Sequence, residues 1–307
     1  MKTDRKNILG YLALISLFGV SGFVVGTFNT PTTQAEQPNL QQAAAIAAVS
    51  VRPAPAHVEV VARAVYVLDA ADDSVLFSKN ETAQLPLASL TKLFVALLVK
   101  EHLNFSDILS ISERALAVEG EWGFEQGEIW RVRDLLDYTL ITSSNDGAAA
   151  LAEAIEHTTG EGIVTLLNAQ AQRLGLSQTF FLNETGLDSS VALAGAYGSA
   201  QDVASFLQYV YATDPGLLEA TVYSQRTFMN VHGKVYEATN TNKAIARLPG
   251  LAVGKTGFTD LAGGNLAVIT ESEPGHPFIS VVLGSTPEAR FNDVIQLTNA
   301  TLRQPEE

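Results

Sequence analysis

The hydrophobic period of the chain changes twice, and this constrains the fold more than any other feature. The segment ARAVYVLDAADDSVLFSK alternates at Ala64, Tyr66 and Leu68, breaks at Asp72-Asp73, and resumes at Val75 and Phe77. A period of two interrupted by turn residues predicts a β-hairpin. The long middle stretch then turns helical, with apolar residues at helical spacing over 132–141, 148–155 and 163–174. A further helix is predicted over 199–211, with Val203, Phe206, Leu207 and Val210 on one face. Strands return at 228–231 and 235–238 around His232-Gly233, then at 250–258, 265–270 and 278–283. Thr286 as N-cap, Pro287 in the first helical position and the stripe Phe291, Val294, Leu297 and Leu302 mark a closing helix. Strands at both ends with helices between them predict an α+β domain. Its terminal pieces share one antiparallel sheet, and a mostly helical region is inserted between them.

Composition narrows the chemistry. The 307 residues include no cysteine, which excludes a disulfide-stapled module, a thiolate metal site and a cysteine nucleophile. With 19 Lys+Arg against 33 Asp+Glu, the formal charge is −14. No cationic surplus exists to neutralise phosphates, so nucleic acid is not expected as a partner. The five histidines, His57, His102, His157, His232 and His276, show no metal-ligand spacing.

The acid excess is uneven. Lys2, Arg5 and Lys6 stand against Asp4 alone, and residues 8–26, ILGYLALISLFGVSGFVVG, follow without a charge. A basic head before such a run predicts export, as a signal peptide or a retained membrane anchor. The 19-residue run exceeds a usual signal-peptide core, which favours the anchor. Thr33-Gln34-Ala35 would be the cleavage site in the other case. Residues 27–58 are rich in Thr, Pro, Gln and Ala and read as a flexible linker. The globular part is expected over 59–307.

Three short motifs carry chemistry. Ser89-Leu90-Thr91-Lys92 opens an apolar helix, Leu93, Phe94, Ala96, Leu97, Leu98, and Pro86 precedes it. Residues three apart share a helix face, so Ser89 Oγ and Lys92 Nζ can meet. A serine hydroxyl needs a neighbouring base, and a lysine serves only if burial lowers its pKa. Ser143-Ser144-Asn145 falls between two helical stretches and by itself reads as a helix break. Lys255-Thr256-Gly257 lies in a predicted strand, where a lysine beside a glycine suits close approach by an anionic ligand. A phosphate loop is excluded there, because the required glycine is replaced by Pro249 and no helix follows.

Each motif alone is common, but the order Ser-x-x-Lys, Ser-x-Asn, Lys-Thr-Gly is the signature of penicillin-recognising serine enzymes. The chain resembles the low-molecular-mass penicillin-binding proteins, the serine-type D-alanyl-D-alanine carboxypeptidases. The likeness covers roughly residues 60–303 and includes Leu85-Pro86-Leu87-Ala88, the run Phe181 through Asp188, Asn240-Thr241-Asn242 and Ala262-Gly263-Gly264-Asn265-Leu266. The resemblance implies a β-lactamase/transpeptidase-like fold and no cofactor or metal. It implies that Ser89 attacks the carbonyl between two terminal D-alanines of a peptidoglycan stem peptide, with Lys92 as general base. Ser143, with Lys255, would pass a proton to the departing D-alanine. Asn145 would bond the substrate amide, and Lys255 and Thr256, beside Gly257, would hold the terminal carboxylate. The N–H groups of Ser89 and Phe258 would form the oxyanion hole. β-Lactams would then be covalent inhibitors.

The chain departs from the family pattern in three places. It ends about 50 residues after Lys255, so the C-terminal β-rich domain and anchor of many members are not expected, and the N-terminal run would supply attachment. Phe258 stands where some members carry histidine, and Ser144 adds a second hydroxyl beside Ser143. A β-lactamase is disfavoured because no E-x-x-L-N segment supplies a deacylating glutamate. A non-catalytic wall-binding domain is disfavoured because every expected side chain is present. Carboxypeptidase and endopeptidase activity are not separable from these residues.

Overall fold

The protein is described from a computed structural model, over residues 58–120 and 123–302. The apolar run at 8–26 and nearly all of the linker at 27–58 lie outside these residues. The chain begins with the antiparallel hairpin β1 (Ala64–Asp69) and β2 (Ser74–Lys79), followed by the short β3 (Leu85–Pro86). A 3-10 turn, Ala88–Leu90, leads into α1 (Thr91–His102). The inserted region comprises β4 (Ile108–Ser110), α2 (Glu113–Leu116), β5 (Ile129–Arg131), α3 (Val132–Thr142), α4 (Asn145–Thr159) and α5 (Ile163–Arg173). It continues through β6 (Phe180–Phe181), β7 (Ala196–Gly198) and α6 (Ala200–Thr213). The ribbon β8 (Gln225–Met229) and β9 (Val235–Thr239) precedes β10 (Leu251–Thr259), β11 (Gly263–Glu271), β12 (Pro277–Ser285) and α7 (Ala289–Leu302).

The first and last strands share one sheet, in the order β10-β11-β12-β1-β2, with antiparallel neighbours throughout. Tyr66 of β1 faces Val281 of β12. This is the α+β arrangement that the change of period implied. One property exceeds it. Alternation describes a strand with one covered face, yet every residue of β1 is buried. The reason is that helices cover both faces. Ala64, Tyr66 and Leu68 join Ala267, Ile279 and Val281 under the helical region, whereas Val65 and Val67 join Leu266, Val268 and Val282 under Val294 and Leu297 of α7.

The helix termini follow the capping residues. Ser144 Oγ accepts from Gly147 N–H at the start of α4, and Ser199 Oγ from Asp202 N–H at the start of α6. Thr286 Oγ1 accepts from Ala289 N–H at 2.9 Å, as expected for the closing helix. The ribbon β8–β9 turns over five residues rather than at His232-Gly233 alone. Asn230 Oδ1 accepts from both His232 N–H and Lys234 N–H at 3.0 Å, which favours the wider loop.

Helix α1 is buried from Thr91 to Val99, so it is a central helix enclosed on all sides. Phe94 packs between Phe206, 3.8 Å away between ring centroids, and Phe181, 4.9 Å away. Removing this ring opens a cavity beneath the segment that carries Ser89 and Lys92. Phe94→Ala is expected to lower the unfolding free energy by about 3–5 kcal/mol. Urea denaturation measures this, and a loss below about 1 kcal/mol would show that α1 is not held by that packing.

Candidate active site

The site begins at the 3-10 turn before α1. Ala88 sits at φ +48°, a left-handed conformation that costs a non-glycine residue about 1–3 kcal/mol. Neighbouring contacts hold it there. Thr91 Oγ1 donates to the Ala88 carbonyl at 2.7 Å, and Asn265 Nδ2 donates to the carbonyls of Pro86 and Leu87 at 2.9 and 3.1 Å. Gly186 lies so close to the Ala88 carbonyl that no Cβ fits between them. The turn presents Ser89 one helical turn ahead of Lys92, and the two meet as their spacing predicts.

Lys92 is 1 % exposed, and among the described residues its Nζ has three hydrogen-bond partners. These are Ser89 Oγ at 2.8 Å, Asn145 Oδ1 at 2.7 Å and the Thr185 carbonyl at 3.0 Å. The last two can only accept hydrogen bonds, so Ser89 is the one neighbour able to donate. Burial pulls the lysine down from 10.5 to about 7, and the Glu184 and Asp146 carboxylates oppose the shift.

Ser143 ends α3 in a left-handed conformation, φ +64°, and Ser144 then begins α4. The kink separates the two serines. Ser143 Oγ lies 2.8 Å from Lys255 Nζ, while Ser144 is wholly buried as a helix cap paired with Asp146. Asn145 Nδ2 donates to the Glu119 carbonyl at 2.8 Å, and its second N–H has no partner among the described residues.

Strand β10 supplies the opposite wall and is the edge of the sheet. Lys255, 1 % exposed, also donates to the Thr256 carbonyl at 2.9 Å. Burial holds it well below the ordinary lysine value, and Lys92 when protonated and Arg290 lower it further. Thr256 Oγ1 pairs with Thr241 Oγ1 at 2.5 Å. A Cβ on Gly257 would stand 2.7 Å from the Leu87 carbonyl, so only glycine lets β10 approach the turn that carries Ser89. Phe258 is half-exposed at the strand edge. Hydrogen bonds thus tie Ser89, Lys92 and Asn145 together and Ser143 to Lys255, while β10 carries Thr256, Gly257 and Phe258 past the turn that holds Ser89.

Sequence reasoning assigned no role to Thr185, Glu119, Thr241, Asn265 or Arg290. Thr185, Thr241 and Asn265 belong to segments that carried the family resemblance, and that was their only signal. The carbonyls of Thr185 and Glu119 act through the backbone, which residue type does not reveal. Arg290 reads as the first turn of a surface helix, yet it is buried and reaches the Gly257 carbonyl.

Residues 48–287 match the Peptidase S11 family, described as D-alanyl-D-alanine carboxypeptidase. The chain is similar to D-alanyl-D-alanine carboxypeptidase DacF of Bacillus subtilis, 31 % identical over 253 residues, which cover 80 % of this chain and 63 % of that protein. It is also similar to a D-alanyl-D-alanine endopeptidase of Escherichia coli, 28 % identical over 223 residues, 69 % of this chain and 68 % of that one. Among solved structures it resembles penicillin-binding protein D2 of Listeria monocytogenes in the ampicillin-bound form. That likeness has a TM-score of 0.70 and 29 % identity, and covers 80 % of this chain and 99 % of the other. The chain thus spans less than two thirds of the length of the Bacillus carboxypeptidase, and the match takes in every motif of the cleft. It belongs to the Peptidase S11 family.

Proposed function

We propose that the protein is a serine-type D-Ala-D-Ala carboxypeptidase that removes the terminal D-alanine from peptidoglycan stem peptides. The observation that carries this reading is the pairing of two serine hydroxyls with two buried lysines across one cleft, Ser89 with Lys92 and Ser143 with Lys255, each at 2.8 Å. Membership of the Peptidase S11 family and the likeness to an ampicillin-bound penicillin-binding protein support it.

In this reading neutral Lys92 directs two N–H bonds to Asn145 Oδ1 and the Thr185 carbonyl, so its lone pair faces the Ser89 hydroxyl. Ser89 Oγ attacks the carbonyl carbon between the two D-alanines, and its proton passes to Lys92. The negative oxygen of the tetrahedral intermediate is met by the N–H groups of Ser89 and Phe258. The C–N bond then breaks. Ser143, backed by Lys255, delivers its own proton to the leaving nitrogen and takes up the one that Lys92 gained, so both return to their starting states and the acyl group remains as an ester on Ser89. Water attacks that ester, and its proton replaces the one that Ser89 lost. The free N–H of Asn145 bonds the substrate backbone, and Lys255 and Thr256 hold the terminal carboxylate. An arriving carboxylate favours the protonated form of Lys255, offsetting the burial that otherwise lowers its pKa. Neither metal nor cofactor enters the scheme. A β-lactam enters the same path and is retained as the ester.

Residues 59–307 would form the catalytic unit, working on the extracytoplasmic face of the membrane. Residues 1–26 would supply export or anchoring and 27–58 the linker. Among the described residues no helix is long and apolar enough to cross a membrane.

Three sets of measurements test this. Fluorescent penicillin is expected to label the protein covalently and to fail with Ser89→Ala; equal labelling would remove Ser89 from its role. The same variant should release no D-alanine from a pentapeptide. Because of the likeness to the Escherichia coli endopeptidase, a cross-linked dimer is the second substrate, and faster cleavage of it would make endopeptidase the main activity.

The second concerns pH. Lys92 accepts a proton only when neutral, and its ammonium titrates at about 7. Acylation is expected to rise with pH through that value and to level off above it. A rate that stays flat between about pH 5 and pH 9 would show that Lys92 is not the base. The third is the mass of the mature protein, expected to retain residues 1–26; loss of residues 1–35 would mean cleavage.

A further inference from the structure

The cleft chemistry uses two buried lysines and leaves a third buried cation unexplained. Arg290, 9 % exposed, extends from α7. Its Nη1 donates to the Gly257 carbonyl at 2.6 Å and reaches the Asn265 carbonyl at 3.5 Å. Its Nε has no hydrogen-bond partner, and among the described residues its guanidinium bonds backbone carbonyls and no carboxylate. Burial lowers its pKa to about 10, opposed by the charge of Glu288. A buried cation without a carboxylate partner is a cost to folding that an apolar side chain would avoid. Its one short bond goes to a single carbonyl of β10.

We propose that Arg290 is a positioning residue for the oxyanion hole, acting through the Gly257–Phe258 peptide unit. A peptide unit is planar and trans, so its carbonyl and N–H point in opposite directions. Strand β10 pairs with β11 without a register shift from Val253 to Thr259, with Gly257 opposite Asn265. Along such a strand residues two apart turn their backbone groups the same way. The Thr256 carbonyl meets Lys255 Nζ on the cleft side, so the Phe258 N–H, two residues on, faces the cleft as well. The Gly257 carbonyl faces the other way, toward Asn265 and Arg290.

Two effects follow. A charge-assisted bond to the carbonyl withdraws density from the amide nitrogen and strengthens the opposite N–H as a donor, by roughly 10–30 %. Holding the carbonyl also prevents the peptide plane from rotating, which fixes the direction of that N–H. The second donor is tied to the same place. Gly257 packs on the Leu87 carbonyl and the Ser89 nitrogen, and Asn265 Nδ2 holds the Pro86 and Leu87 carbonyls. Arg290, from α7, and Asn265, on the side of the Ser89 turn, together set both donors.

This inference rests on Ser89 being acylated, and the test separates the two. Arg290→Met removes the cation and keeps a long apolar side chain, a change that a buried unpaired charge tolerates well. The rate of acylation by benzylpenicillin is measured with the initial binding constant, and the ester carbonyl stretch of the acyl-enzyme is read by isotope-edited infrared difference spectroscopy. Deleting a whole oxyanion donor costs roughly 100–1,000-fold, so weakening one is expected to slow acylation about tenfold. Initial binding should be unchanged, and the carbonyl should move to higher wavenumber. A folded variant with the wild-type stretch overturns the proposal even if it is less stable. If the methionine variant does not fold, Arg290→Gln takes its place: the neutral amide keeps a polar side chain but removes the charge on the bond to the Gly257 carbonyl, and a wild-type stretch there overturns the proposal equally. Wild type that forms no acyl-enzyme at all would instead remove the reading on which the inference rests.

Discussion

Withdrawing Lys92 and Lys255 from water is the constraint on which the rest of the structure depends. Moving an ammonium group into a protein interior costs several kcal/mol unless hydrogen bonds replace its hydration. Each lysine here has a serine hydroxyl and at least one backbone carbonyl within 3.0 Å, and among the described residues neither has a carboxylate partner at that range. Polar oxygens soften the cost without cancelling it. The remainder appears as depressed basicity, which gives Lys92 a usable lone pair near neutral pH. A carboxylate in contact would stabilise the fold better and would hold Lys92 in its charged form.

The partners come from distant parts of the chain, so the fold must deliver them together. Lys92 stands on α1, Asn145 on α4, Thr185 on the loop beyond β6, and Lys255 on the edge strand β10. The five-stranded sheet makes this possible because its faces are covered while β10 has no further strand paired to its outer edge. Two non-glycine residues in left-handed conformations, Ala88 and Ser143, sit directly at the cleft. One aims Ser89 and the other turns its own hydroxyl to Lys255. The packing of α1 and the caps of α4 offset that strain.

The fold was legible where one element decides its own conformation. The 72–73 turn, the Thr286 cap and the stripe on α7 follow from residue types a few positions apart. The short β3, β6 and β7 were not legible, because two- or three-residue strands are made by their partners and carry no period. The full burial of β1 was hidden for a similar reason. Alternation cannot tell whether a second layer covers the other face. In the cleft, motif order marked the side chains, but the carbonyls of Thr185, Glu119 and Gly257 belong to no residue type. They were visible only once the backbone path was known.

The sequence by itself determined the α+β class, the exclusion of thiol chemistry, and the set of hydroxyls and amines that could react. Those depend on residue identity and local period, which are written directly in the chain. The tertiary structure alone decided that Ser143 rather than Ser144 faces the cleft, since the two differ only in the backbone kink between α3 and α4. It alone buried Lys92 and Lys255 and so set their protonation. It also alone turned Arg290 from the start of α7 to the back of β10. Desolvation and hydrogen-bond direction depend on what lies beside a group in space, and residues more than 100 positions apart, such as Ser143 and Lys255, become neighbours only when the chain has folded.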